Sequence, residues 1–158
     1  MITETDMKHL RRCVELARIA LEKGDEPFGS VLVSAEGEVL FEDHNHVAGG
    51  DYTQHPEFAI ARWAAQHMTP EARARATVYT SGEHCPMCAA AHGWVGLGRI
   101  VYASSSRQLA EWLEELGVPP VARPAFADPG RDPRRAGGRS RSRACGADAR
   151  ASPAFLRG

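Results

Sequence analysis

Between Asp6 and Leu116 the apolar residues keep changing period, and this alternation limits the fold more than any single motif does. From Asp6 to Lys23 they recur at three- and four-residue steps (Met7, Leu10, Val14, Ala17, Leu21) before Gly24, which predicts an amphipathic helix. Phe28 to Ser34 and Glu38 to Glu42 are short apolar, β-branched runs separated by Ala35, Glu36 and Gly37, the pattern of a hairpin. Asp43 to Gln54 reads as polar loop. His55 to Met68, with Phe58, Ile60, Ala61, Trp63, Ala64 and Ala65, suits a helix buried over most of its surface, and Thr69-Pro70 stops it and begins a short acidic-led turn. Thr77 to Ser81 is a strand, Pro86 to Val95 a small-residue helix and Arg99 to Ala103 a further strand. Ser104 to Ser106 cap an amphipathic helix carrying Leu109, Trp112, Leu113 and Leu116, which Gly117 and Pro119-Pro120 terminate. The order α-β-β-α-β-α-β-α predicts an α/β fold: one sheet with helices on both faces, antiparallel at the first hairpin and parallel where helices intervene.

The pattern stops at about Val121. Residues 1–121 hold 10 Lys and Arg against 17 Asp and Glu, a net of −7, whereas 122–158 hold 9 Arg against 3 Asp, a net of +6, so the overall −1 averages two unlike pieces. Arg, Ala, Gly and Pro supply 27 of the last 37 residues, whose large apolar side chains are Phe126, Phe155 and Leu156. Such a tail buries too little surface to offset its ordering entropy. The domain expected from sequence is therefore 1–121, followed by an unordered tail 122–158. All-G/C codons can encode those four residue types, so a frameshifted gene end that replaced a last strand and helix is a second explanation of the switch.

The whole chain is 43% apolar and 25% charged over 158 residues, which excludes a wholly disordered, collagenous or coiled-coil protein and suits one core. No apolar run approaches the roughly 20 residues of a membrane helix. The acidic, polar start MITETDMKHLRR lacks the basic-then-apolar order of a secretory signal, so a cytoplasmic protein without a membrane partner is expected. Four cysteines at 13, 85, 88 and 145 are too few and too uneven for a disulfide framework. Cys13 belongs to the apolar face of the first helix, and Cys145 lies in the tail.

Cys85-Pro86-Met87-Cys88 brings two soft thiolate ligands together at a predicted helix start, where unpaired N–H groups favour deprotonated sulfur. Thirty residues upstream, His55-Pro56-Glu57 opens another predicted helix. If the two helices lie side by side, their N-termini present one imidazole and two thiolates to a single ion. Three protein ligands with an open fourth position describe a catalytic rather than a structural zinc site, and sulfur with imidazole favours zinc over magnesium or calcium. Glu57, two residues beyond His55, can then address a zinc-activated water without ligating the metal.

His-x-Glu followed by Cys-x-x-Cys resembles the zinc-dependent nucleobase and nucleoside deaminases of the cytidine/deoxycytidylate deaminase-like superfamily. The likeness runs from about Met7 to Leu116. Pro27-Phe28-Gly29, His44-Asn45, Asp51-x-Thr53-x-His55 and Val78-Tyr79-Thr80 with Glu83-x-Cys85-Pro86-Met87-Cys88 are similar to segments of the guanine deaminase-like branch, as is the position of Trp94. The resemblance implies a three-layer α/β/α fold with a mixed sheet of about five strands, one catalytic Zn2+ per chain on His55, Cys85 and Cys88, Glu57 as catalytic proton shuttle, and hydrolytic loss of an exocyclic amine as ammonia. It also implies a homodimer and a small nucleobase or nucleoside substrate. Asn45 is the candidate for a ring-edge hydrogen bond, and Phe28 and Trp94 for an apolar or stacking wall. Two positions depart from the family pattern. Pro56 replaces the usual Ala or Val, which a first helical turn tolerates. His84 replaces the usual proline, which makes it a candidate pocket residue. Glu114 and Glu115 lie near where guanine-specific members carry an acid.

Two competing functions share these residues. A tRNA adenosine deaminase needs a basic surface, against the −7 of residues 1–121, so a nucleic-acid partner is not expected. A non-catalytic zinc module binding RNA or acidic partners through its Arg-rich tail would have no use for Glu57.

Overall fold

The computed structural model describes residues 2–118; the expectations for 122–158, Cys145 included, lie outside the described residues. The chain forms α1 (Glu4–Glu22), β1 (Gly29–Val33), β2 (Val39–His44), α2 (Pro56–His67), α3 (Pro70–Arg75), β3 (Thr77–Gly82), α4 (Pro86–Val95), β4 (Arg99–Ser104) and α5 (Ser106–Glu115). The short turn expected after Thr69-Pro70 closes into α3, because Thr69 caps it by accepting from Ala72 N. Helices cover both faces of a single mixed sheet, which is the α/β/α arrangement expected.

Among the described residues the sheet has four strands rather than about five, in the order β2-β1-β3-β4. β3 and β4 are parallel and joined through α4, as the alternation required. The connection through α2 and α3 instead carries the chain past β1, so β3 pairs antiparallel with β1 while running in the same direction as β2.

The two faces bury different residues of each strand because side chains alternate along it. Val31, Val33, Tyr79 and Val101 meet Leu10, Cys13 and Leu16 of α1. Leu32 and Val78 meet Ile60, Ala61 and Ala64 of α2, with Ala91 and Val95 of α4 at the edge of that cluster. Gly29 permits the closest approach: a Cβ there would stand under 3.0 Å from Leu16 Cβ, the Cys13 carbonyl oxygen and Ala17 N. Among the described residues no helix is long and apolar enough to cross a membrane.

Candidate active site

α2 and α4 begin in the same way. His55 and Cys85 are the N-cap residues, both extended (φ −90°, ψ 139° and φ −67°, ψ 164°), and each is followed by a proline in the first turn, where no N–H is needed. The N-cap position points a side chain across the end of its own helix. Because α2 and α4 pack side by side under the sheet, the two ends face each other. His55 Nδ1 lies 3.6 Å from Cys85 Sγ and 3.6 Å from Cys88 Sγ.

That spacing allows a direct test of the ion. Zinc at about 2.05 Å from nitrogen and about 2.3 Å from sulfur, with tetrahedral angles, requires N···S separations of about 3.6 Å. The three donor atoms all lie within 4.8 Å of one another, and their nitrogen and sulfur chemistry fits zinc. A second group, Asp25, His44 and His46, also gathers its donor atoms within 4.8 Å. There, however, Lys23 Nζ stands 2.8 Å from His44 Nε2, and Asp25 Oδ1 accepts from Ala48 N.

Charge supports the first group. The hydrogen bond from Cys88, together with His55, brings the Cys85 thiol down to about 3 despite partial burial, while the same hydrogen bond and burial push the Cys88 thiol up, so that without an ion the pair holds one thiolate. The Cys85 thiolate in turn raises the His55 pKa. Cys13, buried under α1 with no such partner, is pushed up to about 12 by desolvation, as suits a core thiol.

The chain matches the family model for the cytidine and deoxycytidylate deaminase zinc-binding region over residues 3–104. It belongs to that family of zinc-dependent deaminases. A probable cytosine deaminase of Schizosaccharomyces pombe is 31% identical over 121 residues, covering 76% of this chain and 74% of the relative. A tRNA-specific adenosine deaminase of Agrobacterium fabrum is 35% identical over 56% of this chain and 58% of its own length. The X-ray structure of guanine deaminase from Bacillus subtilis superposes with a TM-score of 0.58 at 29% identity, covering 75% of this chain and 81% of that one. The deaminase reading made from His-x-Glu and Cys-x-x-Cys therefore stands, and with it the zinc.

In this deaminase Glu57 is buried in the first turn of α2, and its two carboxylate oxygens have different surroundings. Oε1 accepts from Thr80 Oγ1 at 2.6 Å and from Ser30 Oγ at 2.9 Å. Oε2 faces Cys88 Sγ at 3.7 Å, on the metal side. A cavity of about 770 Å³ opens beside it, lined by His55, Glu57, Cys85 and Phe28 and by Leu109 and Leu113 of α5. Gly82 leaves room for the Phe28 ring, since a Cβ there would stand 3.0 Å from Phe28 Cε1.

The other expected contacts fall out differently. Asn45 is wholly buried and is not among the cavity-lining residues, although its backbone N donates to the carbonyl of Phe28, which is; its Oδ1 accepts from Val47 N at 3.0 Å, while its Nδ2 has no partner among the described residues. Trp94 is not brought to the cavity: at the end of α4 it is 90% exposed, since that helix turns its other face to α2 and the sheet. His84 is not among the cavity-lining residues either. Its ring packs edge-on against His92 at 5.3 Å with both nitrogens buried and without a hydrogen-bond partner among the described residues, and desolvation lowers its pKa.

Sequence reading left out Ser30 and named Thr80 and Glu83 only within the zinc segment, with no role for either. Period-2 alternation carries the signal for the first two, because they lie two residues from Leu32 and Val78 and so face α2 as those residues do. Glu83 Oε2 accepts from Ser106 N at 2.8 Å, tying the loop before Cys85 to the start of α5.

Proposed function

We propose that this deaminase acts on a small uncharged nucleobase or nucleoside, of guanine or cytosine type, and that Glu57 is its proton shuttle. One observation carries the substrate class. Among the described residues the acidic side chains lining the cavity are Glu26, Glu57, Glu83 and Glu114, and no Lys or Arg lines it. A phosphate group entering there would meet carboxylates and no Lys or Arg side chain, which disfavours nucleotides and an RNA loop.

Zinc, when bound, supplies an acidified water and a Lewis acid for the developing oxyanion. The chain's own residues do the rest. Phe28, Leu109 and Leu113 offer apolar walls for a planar ring, and their burial by the ring excludes bulk water. Glu57 Oε2 accepts one proton of the attacking water and gives it to a ring nitrogen, then takes the remaining proton of the added hydroxyl and gives it to the departing amine as the carbonyl forms. The balance is amine plus water giving carbonyl plus ammonia. Asn45, bonded through its backbone N to the carbonyl of the cavity-lining Phe28, has an Nδ2 donor without an acceptor among the described residues and is the candidate for a ring-edge contact.

The reading includes a reducing, cytoplasmic compartment, where Cys85 and Cys88 stay reduced and free of disulfides. It also includes a homodimer, for which the exposed Trp94 is a side chain that a second copy would cover. Sedimentation of wild type and Trp94→Ser tests that point. The substrate is tested by ammonia release from zinc-loaded protein against guanine, cytosine, their nucleosides, their 5′-phosphates and an anticodon stem-loop. Turnover of free bases or nucleosides with little on the phosphates is expected. Turnover confined to the RNA or to the nucleotides would overturn the substrate class.

A further inference from the structure

We propose that Ser30 and Thr80 are positioning residues that fasten Glu57 Oε1 and leave Oε2 as the single oxygen exchanging protons at the cavity, an inference that rests on Glu57 being the shuttle. The two residues face each other across β1 and β3 in register. Both are completely buried, at 0% exposure, so neither hydroxyl has water as an alternative partner. The three oxygens form a closed triangle: Thr80 Oγ1 to Glu57 Oε1 2.6 Å, Ser30 Oγ to Glu57 Oε1 2.9 Å, and Ser30 Oγ to Thr80 Oγ1 2.9 Å.

Each hydroxyl has one proton to donate. Both protons point to Oε1, or one hydroxyl donates to the other, which in turn donates to Oε1. Counting leaves the two hydroxyls equal; distance ranks them, since Thr80 Oγ1 stands 2.6 Å from Oε1 and Ser30 Oγ 2.9 Å, which makes Thr80 the main anchor and Ser30 the support. The 2.6 Å distance is that of an O–H···O⁻ bond, roughly twice as strong as a neutral one.

The geometry also explains why hydroxyls occupy these positions. The same face of β1 and β3 is apolar two residues away, at Leu32 and Val78, where it meets α2. A valine at position 80 would match the threonine in shape and leave Oε1 buried without a donor. The carboxylate would then rotate or shift toward other donors, and a displacement of about 1 Å at a catalytic group can cost about 100-fold in rate.

The experiment compares zinc-loaded wild type with Thr80→Val, Thr80→Ser, Ser30→Ala and the double variant Ser30→Ala/Thr80→Val. Readouts are kcat and KM on whichever substrate the wild type turns over, zinc content, thermal midpoint, and the crystallographic position of the Glu57 carboxylate. Thr80→Val is expected to lower kcat about 10- to 100-fold, with KM nearly unchanged and zinc fully retained. Thr80→Ser recovers most of kcat, because it restores the hydroxyl and not the methyl. Ser30→Ala falls between wild type and Thr80→Val. In the crystals, Glu57 Oε1 moves in Thr80→Val and stays in Thr80→Ser. A Thr80→Val protein with full zinc and wild-type kcat, or a Thr80→Ser protein no better than Thr80→Val, overturns the inference. If the wild type releases ammonia from no substrate, the functional reading fails by itself, and an unmoved carboxylate in the double variant then overturns the positioning role separately.

Discussion

Arg99, on the edge strand β4, reaches back 93 positions to Asp6 in the first turn of α1, with Nη1 and Nη2 at 3.0 and 3.2 Å from the two carboxylate oxygens. Asp6 is buried and also accepts from Thr3 N and from the Tyr79 hydroxyl, each at 2.8 Å. One carboxylate thus joins the N-cap of α1, the central strand β3 and the edge strand β4.

These donors, the Thr3 N–H foremost and then the Tyr79 hydroxyl and Arg99, hold the Asp6 carboxyl well below its ordinary 3.8. A depressed folded-state pKa means the stabilisation is present above about pH 4 and lost as pH falls through the folded-state value. Asp6→Asn is therefore expected to lower the thermal midpoint at pH 7 and to differ progressively less from wild type as the pH is brought down to the acid limit of folding. A gap between the two proteins that stays constant from pH 7 to pH 3 and below would contradict this assignment.

Glu57→Gln keeps an oxygen for Thr80 and Ser30 but removes the exchangeable carboxylate. Turnover is expected to fall by roughly 10²- to 10⁴-fold, with zinc content and thermal midpoint close to wild type. Steady-state ammonia release and metal analysis on the same preparation separate loss of proton transfer from loss of the metal.

Gly29→Ala forces a methyl between α1 and β1, where Leu16 Cβ, the Cys13 carbonyl and Ala17 N already fill the space. Destabilisation of about 1–3 kcal/mol is expected from such overpacking, read as a lower urea midpoint at an unchanged slope. The site lies on the other face of the sheet, so the remaining folded protein should hold zinc as before.

Glu83→Ala removes the carboxylate that accepts from Ser106 N at the start of α5. An acid at a helix N-terminus contributes about 0.3–1 kcal/mol, a small loss for the whole fold. The effect should instead appear at the cavity wall that α5 supplies: KM rises while kcat changes less. An unchanged KM would mean that α5 is held elsewhere.

The parts of this architecture that sequence reading recovered are those written in local patterns. The helix of Leu109, Trp112 and Leu113 begins where its serines said it would, with Ser105 accepting from Gln108 N and the Gln108 side chain accepting from Ser105 N. His55, Glu57, Cys85 and Cys88 were legible because donor chemistry and spacing are local, and because both segments open helices. Strand neighbours were not, since nothing within Gly29–Val33 says that β3 rather than β2 alone will lie beside it; hence the Ser30–Thr80 pair went unread. The outward placement of Trp94 was not legible for a related reason. α4 is built of small and apolar residues on most sides, so periodicity does not reveal which side packs on α2 and which is left outward. His84 packs on His92, a partner eight residues along, where a loop position alone suggested the pocket.

The most direct test of the central claim is the metal content of the purified protein, measured by mass spectrometry of the metal beside Cys88→Ser. One zinc per chain in wild type, and a large loss of zinc together with activity in Cys88→Ser, is the predicted result. A folded wild type that releases ammonia from a nucleobase with no zinc bound, or a Cys88→Ser protein that keeps full zinc, would contradict it.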